Sequence, residues 1–154
     1  MKIEIMSRKE TEKRAKRPFN DNTALISCTD TDLGVTELEN EPALLLRLQF
    51  DDVSSEDFMD FDNKLPPPEE MKSLAHYHHM ITEEQAEQTA EFYLKNRDKI
   101  ELLICQCEHG ESRSAAIAAA ISQYENNDGI KYFIEDRYLP NKSVYRAIYK
   151  ALSE

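Results

Sequence analysis

Short apolar runs that alternate with helix-forming segments are the feature that most restricts the fold of this chain. Residues 23–28, 43–50 and 100–107 are nearly continuous in apolar side chains, a pattern typical of strands covered on both faces. Helical segments lie between and after these runs. The alternation predicts an α/β fold with a mostly parallel central sheet of four to five strands and helices on both faces.

Helix boundaries are marked by capping residues. Ser7 with Glu10, and Thr82 with Gln85, match the capping box, so we predict helices that end near residues 17 and 96. We expect the second of these helices to bury Ala86, Ala90, Tyr93 and Leu94. An alanine-rich helix should follow over residues 113–124, then a short helix capped by Asp128 and reaching residue 137. After Pro140-Asn141 we expect a final helix that buries Val144, Ile148 and Leu152.

Length and charge narrow the class of protein. A chain of 154 residues suits one domain, residues 1–154. Its net charge of -11 argues against affinity for nucleic acid through phosphate neutralisation. No run approaches the roughly 20 apolar residues of a membrane span. Three cysteines and a start that lacks the apolar core of a secretory signal predict reduced thiols and a cytoplasmic location.

An acidic, proline-containing segment follows the second apolar run. Between Asp51 and Glu70 there are eight acidic residues and one lysine. The stretch from 51 to 81 has no clear periodicity and is long for a connection in a compact domain. We therefore expect a long acidic insert without regular structure, of the kind that forms functional lids.

Residues 107–114, with the sequence CEHGESRS, join the last apolar run to the alanine-rich helix. A loop wrapped between a strand and a helix turns consecutive N–H groups inward and forms an anion nest at the positive end of the helix. Cys107 at its base would be stabilised as the thiolate, which is the nucleophilic form. Arg113 would grip two phosphate oxygens, and Gly110 would let the backbone curl. Ser114 would donate a hydrogen bond to the sulfur as a phosphoenzyme breaks down.

Cys107, Gly110, Arg113 and Ser114 match a known signature: cysteine, five residues, arginine, then serine or threonine. The chain resembles the protein tyrosine and dual-specificity phosphatases, particularly their small bacterial and phage members. The resemblance implies a single phosphatase-like domain that hydrolyses phosphomonoesters through a phosphocysteine, without cofactor or metal. It also implies that Asn141 braces the phosphate loop. The residues expected to bind phosphate are Glu108, His109, Gly110, Glu111, Ser112 and Arg113.

The family's general acid is an aspartate after the preceding strand. Here Asp51 and Asp52 directly follow that run, and we predict Asp52 as the acid, with Asp51 as the alternative. The interval from these residues to Cys107 is longer than in the small dual-specificity members, which implies an insertion of about twenty residues. Asp57, Asp60 and Asp62 lie in that insertion and are outside candidates for the general acid. Gln106 stands where the family has histidine, so it would brace the loop by hydrogen bonds without adding charge.

Three functions stay open at this point. The first is a phosphatase for a phosphorylated protein or small phosphoester, specific for tyrosine or of dual specificity. The second is a weak or inactive phosphate-binding module, for which Gln106, Glu108 and Glu111 are the motivation. The third is a sulfurtransferase or arsenate reductase. The alanine-rich helix and the Pro140-Asn141 pair favour a phosphatase over this third function. Cys28 and Cys105 are predicted as small buried hydrophobes, with trapping of an oxidised Cys107 as the alternative.

Overall fold

Four parallel strands form the centre of the structure, a computed structural model that describes all 154 residues. The strands are β1 (Lys2–Ser7), β2 (Thr23–Thr29), β3 (Leu44–Gln49) and β4 (Leu102–Cys107). Their order across the sheet is β1-β4-β2-β3, and all three pairs are parallel. The predicted α/β class and central sheet are confirmed, with four strands and no antiparallel pair.

Six α-helices and two short 3₁₀ turns connect and cover the strands. The helices are α1 (Arg8–Arg14), α2 (Pro68–Tyr77), α3 (Glu83–Asn96), α4 (Arg113–Asn126), α5 (Lys131–Ile134) and α6 (Lys142–Ser153), and the 3₁₀ turns are Ser55–Phe58 and Arg97–Lys99. Both predicted capping boxes are present, at Ser7 with Glu10 and at Thr82 with Gln85. None of the helices combines the length and the apolarity needed to cross a lipid bilayer.

The main core lies between one face of the sheet and the layer of α3, α4 and α6. Side chains of a strand alternate between faces, and Ile26 and Cys28 of β2 join Leu103 and Cys105 of β4 in this core. Ten successive residues of α4, from Arg113 to Ser122, are buried. Seven of them are alanine or serine, so the helix packs close to the sheet.

The other face of the sheet is covered by α1. Leu25 and Ile104 are buried but stand outside the main core, as expected for residues that point to the opposite side. Helix α1 packs against β1 and β4, and Thr11 within it and Ala15 just after it are buried. Helices therefore flank the sheet on both sides, which confirms the predicted layers.

The structure differs from the sequence-based predictions in three places. Residues 51–81 are not irregular throughout, because α2 and a 3₁₀ turn lie within them. Helix α5 begins at Lys131 and ends at Ile134, and Asp128 pairs with Lys131 through its side chain instead of capping the helix. Leu94 of α3 is 38% exposed, so its predicted burial was wrong; Thr89 is buried in the helix instead.

Candidate active site

The carboxyl ends of β2, β3 and β4 meet at one edge of the sheet, where open parallel sheets place their ligands. Cys107 is the last residue of β4, and α4 begins at Arg113. Gly110 lies between them with φ of 70°, a conformation that favours glycine. A Cβ at this position would lie 2.7 Å from the backbone nitrogen of Ser7. The loop is thus packed closely against the end of β1.

In the backbone of the loop, carbonyl oxygens form hydrogen bonds with the protein and the N–H groups do not. The carbonyl oxygens of Glu108, Glu111 and Ser112 accept bonds from the amides of Arg8, Leu139 and Asn141 respectively. None of the backbone N–H groups of residues 108–115 donates a hydrogen bond to another protein atom. Consecutive free donors at the N-terminus of a helix are suited to hold an oxyanion.

Cys107 and Ser114 lie together beneath this loop. Their Sγ and Oγ atoms are 3.0 Å apart, within hydrogen-bond distance. Cys107 is 2% exposed and Ser114 is fully buried. The Ser114 hydroxyl is therefore the hydrogen-bonding partner of the Cys107 sulfur.

The guanidinium of Arg113 is buried, with 3% of the residue exposed. Its Nη1 donates to the carbonyl oxygen of Phe50 at 2.7 Å, and its Nη2 pairs with Oδ1 of Asp30 at 2.8 Å. Its Nε is buried and has no partner. A guanidinium has five N–H donors, so these two contacts fix the group and leave further donors for an anion.

Gln106 is fully buried and binds away from the loop. Its Oε1 accepts hydrogen bonds from the hydroxyls of Ser27 and Thr36, the latter at 3.0 Å. Its Nε2 donates to the carbonyl of Cys28 at 3.5 Å. We expected Gln106 to form hydrogen bonds with the loop, and this was wrong. Its partners lie on β2 and in the segment after it.

Glu108 is neutralised by an arginine that the sequence analysis left unassigned. Nε and Nη2 of Arg8 donate to its carboxylate at 2.7 and 3.0 Å, and the amide of Asp30 donates to it at 3.1 Å. The Arg8 bond, opposed by partial burial and helped by the Asp30 amide, lowers the pKa of Glu108. His109 and Glu111 are exposed.

Asp52 lies beside the loop, on the segment that follows β3. Its Oδ1 accepts from the hydroxyl of Ser112 at 2.7 Å and from Nδ2 of Asn141 at 2.9 Å. Its Oδ2 forms no hydrogen bond, and the residue is exposed. Asp51 has both oxygens bound to Thr31. Asp52 is therefore the one of the two that contacts the loop and has a free oxygen.

The remaining predicted residues have local roles. Asp57 caps the backbone of Ser54, and Asp60 accepts from the amides of a turn at 62–64. Asn141 caps α6 through Val144 and donates its own amide to Ser112, so it does touch the loop. A cleft of about 250 Å³ opens beside Asp52, and Ser112 and Asn141 contribute to its lining.

Cys28 and Cys105 are buried free thiols in the same core as Cys107. Burial, and secondarily the proximity of Cys107, raises the pKa of both thiols. They therefore stay protonated, as expected of small buried hydrophobes.

Asp30, Arg8 and Thr31 each contact a residue of the site and were not predicted from the sequence. One signal was available for Asp30 and Thr31. Only Thr29 separates them from the run at 23–28, and the carboxyl ends of parallel strands share one edge of the sheet.

Comparison with solved structures shows that the fold is similar to that of the phosphatase PTPMT1. The structure of PTPMT1 in complex with PI(5)P matches with a TM-score of 0.53 and 13% sequence identity, over 99% of this chain and 90% of that one. A second PTPMT1 structure matches with a TM-score of 0.50 and 14% identity over the same shares. No family model and no curated protein matches the sequence.

Proposed function

We propose that this protein is a cysteine-dependent phosphomonoester hydrolase of the protein tyrosine or dual-specificity type. The observation that carries the proposal is the loop 107–113, which has a buried cysteine at one end, a fixed arginine at the other and a run of free amides between them. The likeness to small bacterial and phage enzymes rests on the signature motif and is part of this proposal.

In the first step the phosphate is bound by the free amides of residues 108–113 and by the guanidinium of Arg113. The Cys107 thiolate attacks phosphorus, the P–O bond to the leaving group breaks, and a phosphocysteine forms. Asp52, protonated on its free Oδ2, gives that proton to the leaving oxygen. Ser112 and Asn141 hold Oδ1 and thereby orient the carboxyl group.

In the second step water releases the phosphate. The Asp52 carboxylate takes a proton from the water, the water oxygen attacks phosphorus, and the S–P bond breaks. The sulfur leaves with the bonding electron pair as a thiolate. The Ser114 hydroxyl, 3.0 Å from this sulfur, donates a hydrogen bond that stabilises the developing negative charge.

The charges around the cleft favour a phosphorylated protein or a small phosphoester over a polyanionic lipid. Asp52, Glu56 and Asp57 line the cleft, and Lys142 is its one basic lining residue. Glu56 is paired with Arg146, so Asp52 and Asp57 are the carboxylates that would repel further phosphates on a substrate. PTPMT1 binds PI(5)P in its complex, so phosphoinositides belong in the substrate panel as the competing class.

Turnover of para-nitrophenyl phosphate tests the proposal. The protein should hydrolyse it, vanadate should inhibit it, and Cys107→Ser should abolish it. Cys105→Ser is the matched control, because Cys105 is a buried thiol on the same strand and face. Equal activity of the Cys107→Ser and unaltered proteins would refute the cysteine mechanism.

A phosphate-binding module with little turnover is the second candidate. It is favoured by Gln106, a neutral side chain whose hydrogen bonds are all made outside the loop. This candidate predicts that the unaltered protein binds a phosphopeptide at a single site and hydrolyses it negligibly. The same turnover assay, run beside a binding titration, separates the two functions.

A further inference from the structure

The segment that follows β2 is tied to the candidate active site at several points. We name it the β2–β3 strap, residues 30–36. Gln49 donates to the carbonyls of Asp30 and Leu33, and Arg8 donates to the carbonyl of Gly34. Asp30 also donates its amide to Glu108 in the loop. The strap is therefore a fixed element at the edge of the site.

Asp30 is the one residue of the strap whose carboxylate pairs with the buried guanidinium of Arg113. Its Oδ1 is 2.8 Å from Nη2 of Arg113, whose side chain is almost wholly buried, while the Asp30 side chain is partly open to solvent. The carbonyl of Phe50 holds Nη1. Two acceptors thus hold the two terminal nitrogens, and the buried Nε has no protein acceptor.

We infer that Asp30 is a positioning residue for Arg113: it holds the guanidinium so that Nε and the remaining donor of Nη2 present a fork to the substrate phosphate. A planar fork recognises an oxyanion only in the correct orientation. This inference rests on the proposed function, because it assumes that Arg113 binds the phosphate group.

Electrostatics and positioning predict effects of opposite sign when Asp30 is removed. Asp30→Ala removes a negative charge beside the site, which by charge alone should tighten the binding of an anion. Loss of orientation should instead weaken it, by about 10- to 100-fold. Asp30→Asn removes the same charge but keeps an acceptor oxygen for Nη2, so its affinity should lie between that of Asp30→Ala and that of the unaltered protein.

The experiment is a titration of each folded protein with inorganic phosphate, followed by phosphorus NMR, together with kcat and KM on para-nitrophenyl phosphate. Asp32→Ala is the control, since Asp32 is an exposed carboxylate in the same strap and is not bonded to Arg113. Thermal unfolding confirms that each variant is folded. If Asp30→Ala does not fold, the phosphate affinity of Asp30→Asn decides. Weaker binding supports the positioning role, and unchanged or tighter binding overturns it.

The expected result is weaker phosphate binding and a higher KM in Asp30→Ala, a smaller loss in Asp30→Asn, and no loss in Asp32→Ala. Unchanged or tighter binding in the two Asp30 variants would overturn the positioning role and leave the proposed function standing. If the unaltered protein binds no phosphate, both this inference and the proposed function are overturned.

Discussion

Replacement of Gly110 by alanine tests the close packing of the loop against β1. Gly110 has a φ of 70°, and an added Cβ would lie 2.7 Å from the nitrogen of Ser7 and 2.9 Å from the carbonyl carbon of Met6. Both contacts are with the backbone of a strand, so no side chain can turn aside to relieve them. The loop or the end of β1 must move.

The expected cost has two parts. A left-handed conformation costs an L-residue about 1–2 kcal/mol, and forcing a methyl group into a packed site costs about 1–3 kcal/mol more. The free energy of unfolding should therefore fall by about 2–5 kcal/mol, a large share of the roughly 5–15 kcal/mol of a typical domain. Displaced amides should also weaken phosphate binding.

Urea unfolding followed by circular dichroism measures this difference. Gly34→Ala is the control, because a Cβ at Gly34 would meet no atom within 4 Å and its φ lies outside the strained range. Its free energy of unfolding should stay within about 0.5 kcal/mol of that of the unaltered protein. If Gly110→Ala were as stable as Gly34→Ala, the loop would not have the described geometry.

Three further predictions concern single side chains. Asp52→Asn should lower kcat about 100-fold or more on an alkyl phosphate and less on para-nitrophenyl phosphate, whose leaving group needs little protonation, while Asp51→Asn should change both rates alike. Ser114→Ala should slow phosphoenzyme breakdown, which would appear as a larger burst followed by a slower steady state. Arg8→Met should lower the free energy of unfolding by about 1–2 kcal/mol at neutral pH. Arg8 lowers the pKa of Glu108 from its ordinary value of 4.5. The difference in unfolding free energy should therefore be largest above pH 4.5 and decrease as the pH falls through the lowered pKa, leaving the part that comes from the bond of Arg8 to the carbonyl of Gly34. A pH-independent difference would contradict the pairing.

The two central strands were predictable because β2 and β4 are buried on both faces. Each is a mostly apolar run of six or seven residues, a length typical of a strand and short for a helix. The order of the strands was not predictable in this way, because it depends on pairings between distant segments. Helix α2 has no buried residue, and its apolar repeat is short, with Met71, Leu74 and Ala75 covering little more than one turn. So short a repeat is hard to tell from an irregular segment. Pro68 at its first position and Glu69 and Glu70 in its first turn were the available signals.

The loop was predictable because its chemistry is local in the sequence. Cys107, Gly110, Arg113 and Ser114 fall within eight successive residues, and the strand before and helix after them restrict the backbone between. The contacts that fix its charges come from elsewhere in the chain. Asp30 on Arg113, and Arg8 on Glu108, meet their partners only once the parallel sheet brings separate strand ends together.

Chemical trapping of the reaction intermediate tests the central claim most directly. The protein is mixed with phosphate-labelled para-nitrophenyl phosphate, quenched within the first turnover in an alkaline denaturant that preserves the S–P bond, and mapped by mass spectrometry. A phosphocysteine at Cys107, absent from Cys107→Ser, is the predicted result. Hydrolysis at full rate with no label on Cys107, or with label on another residue, would contradict the account.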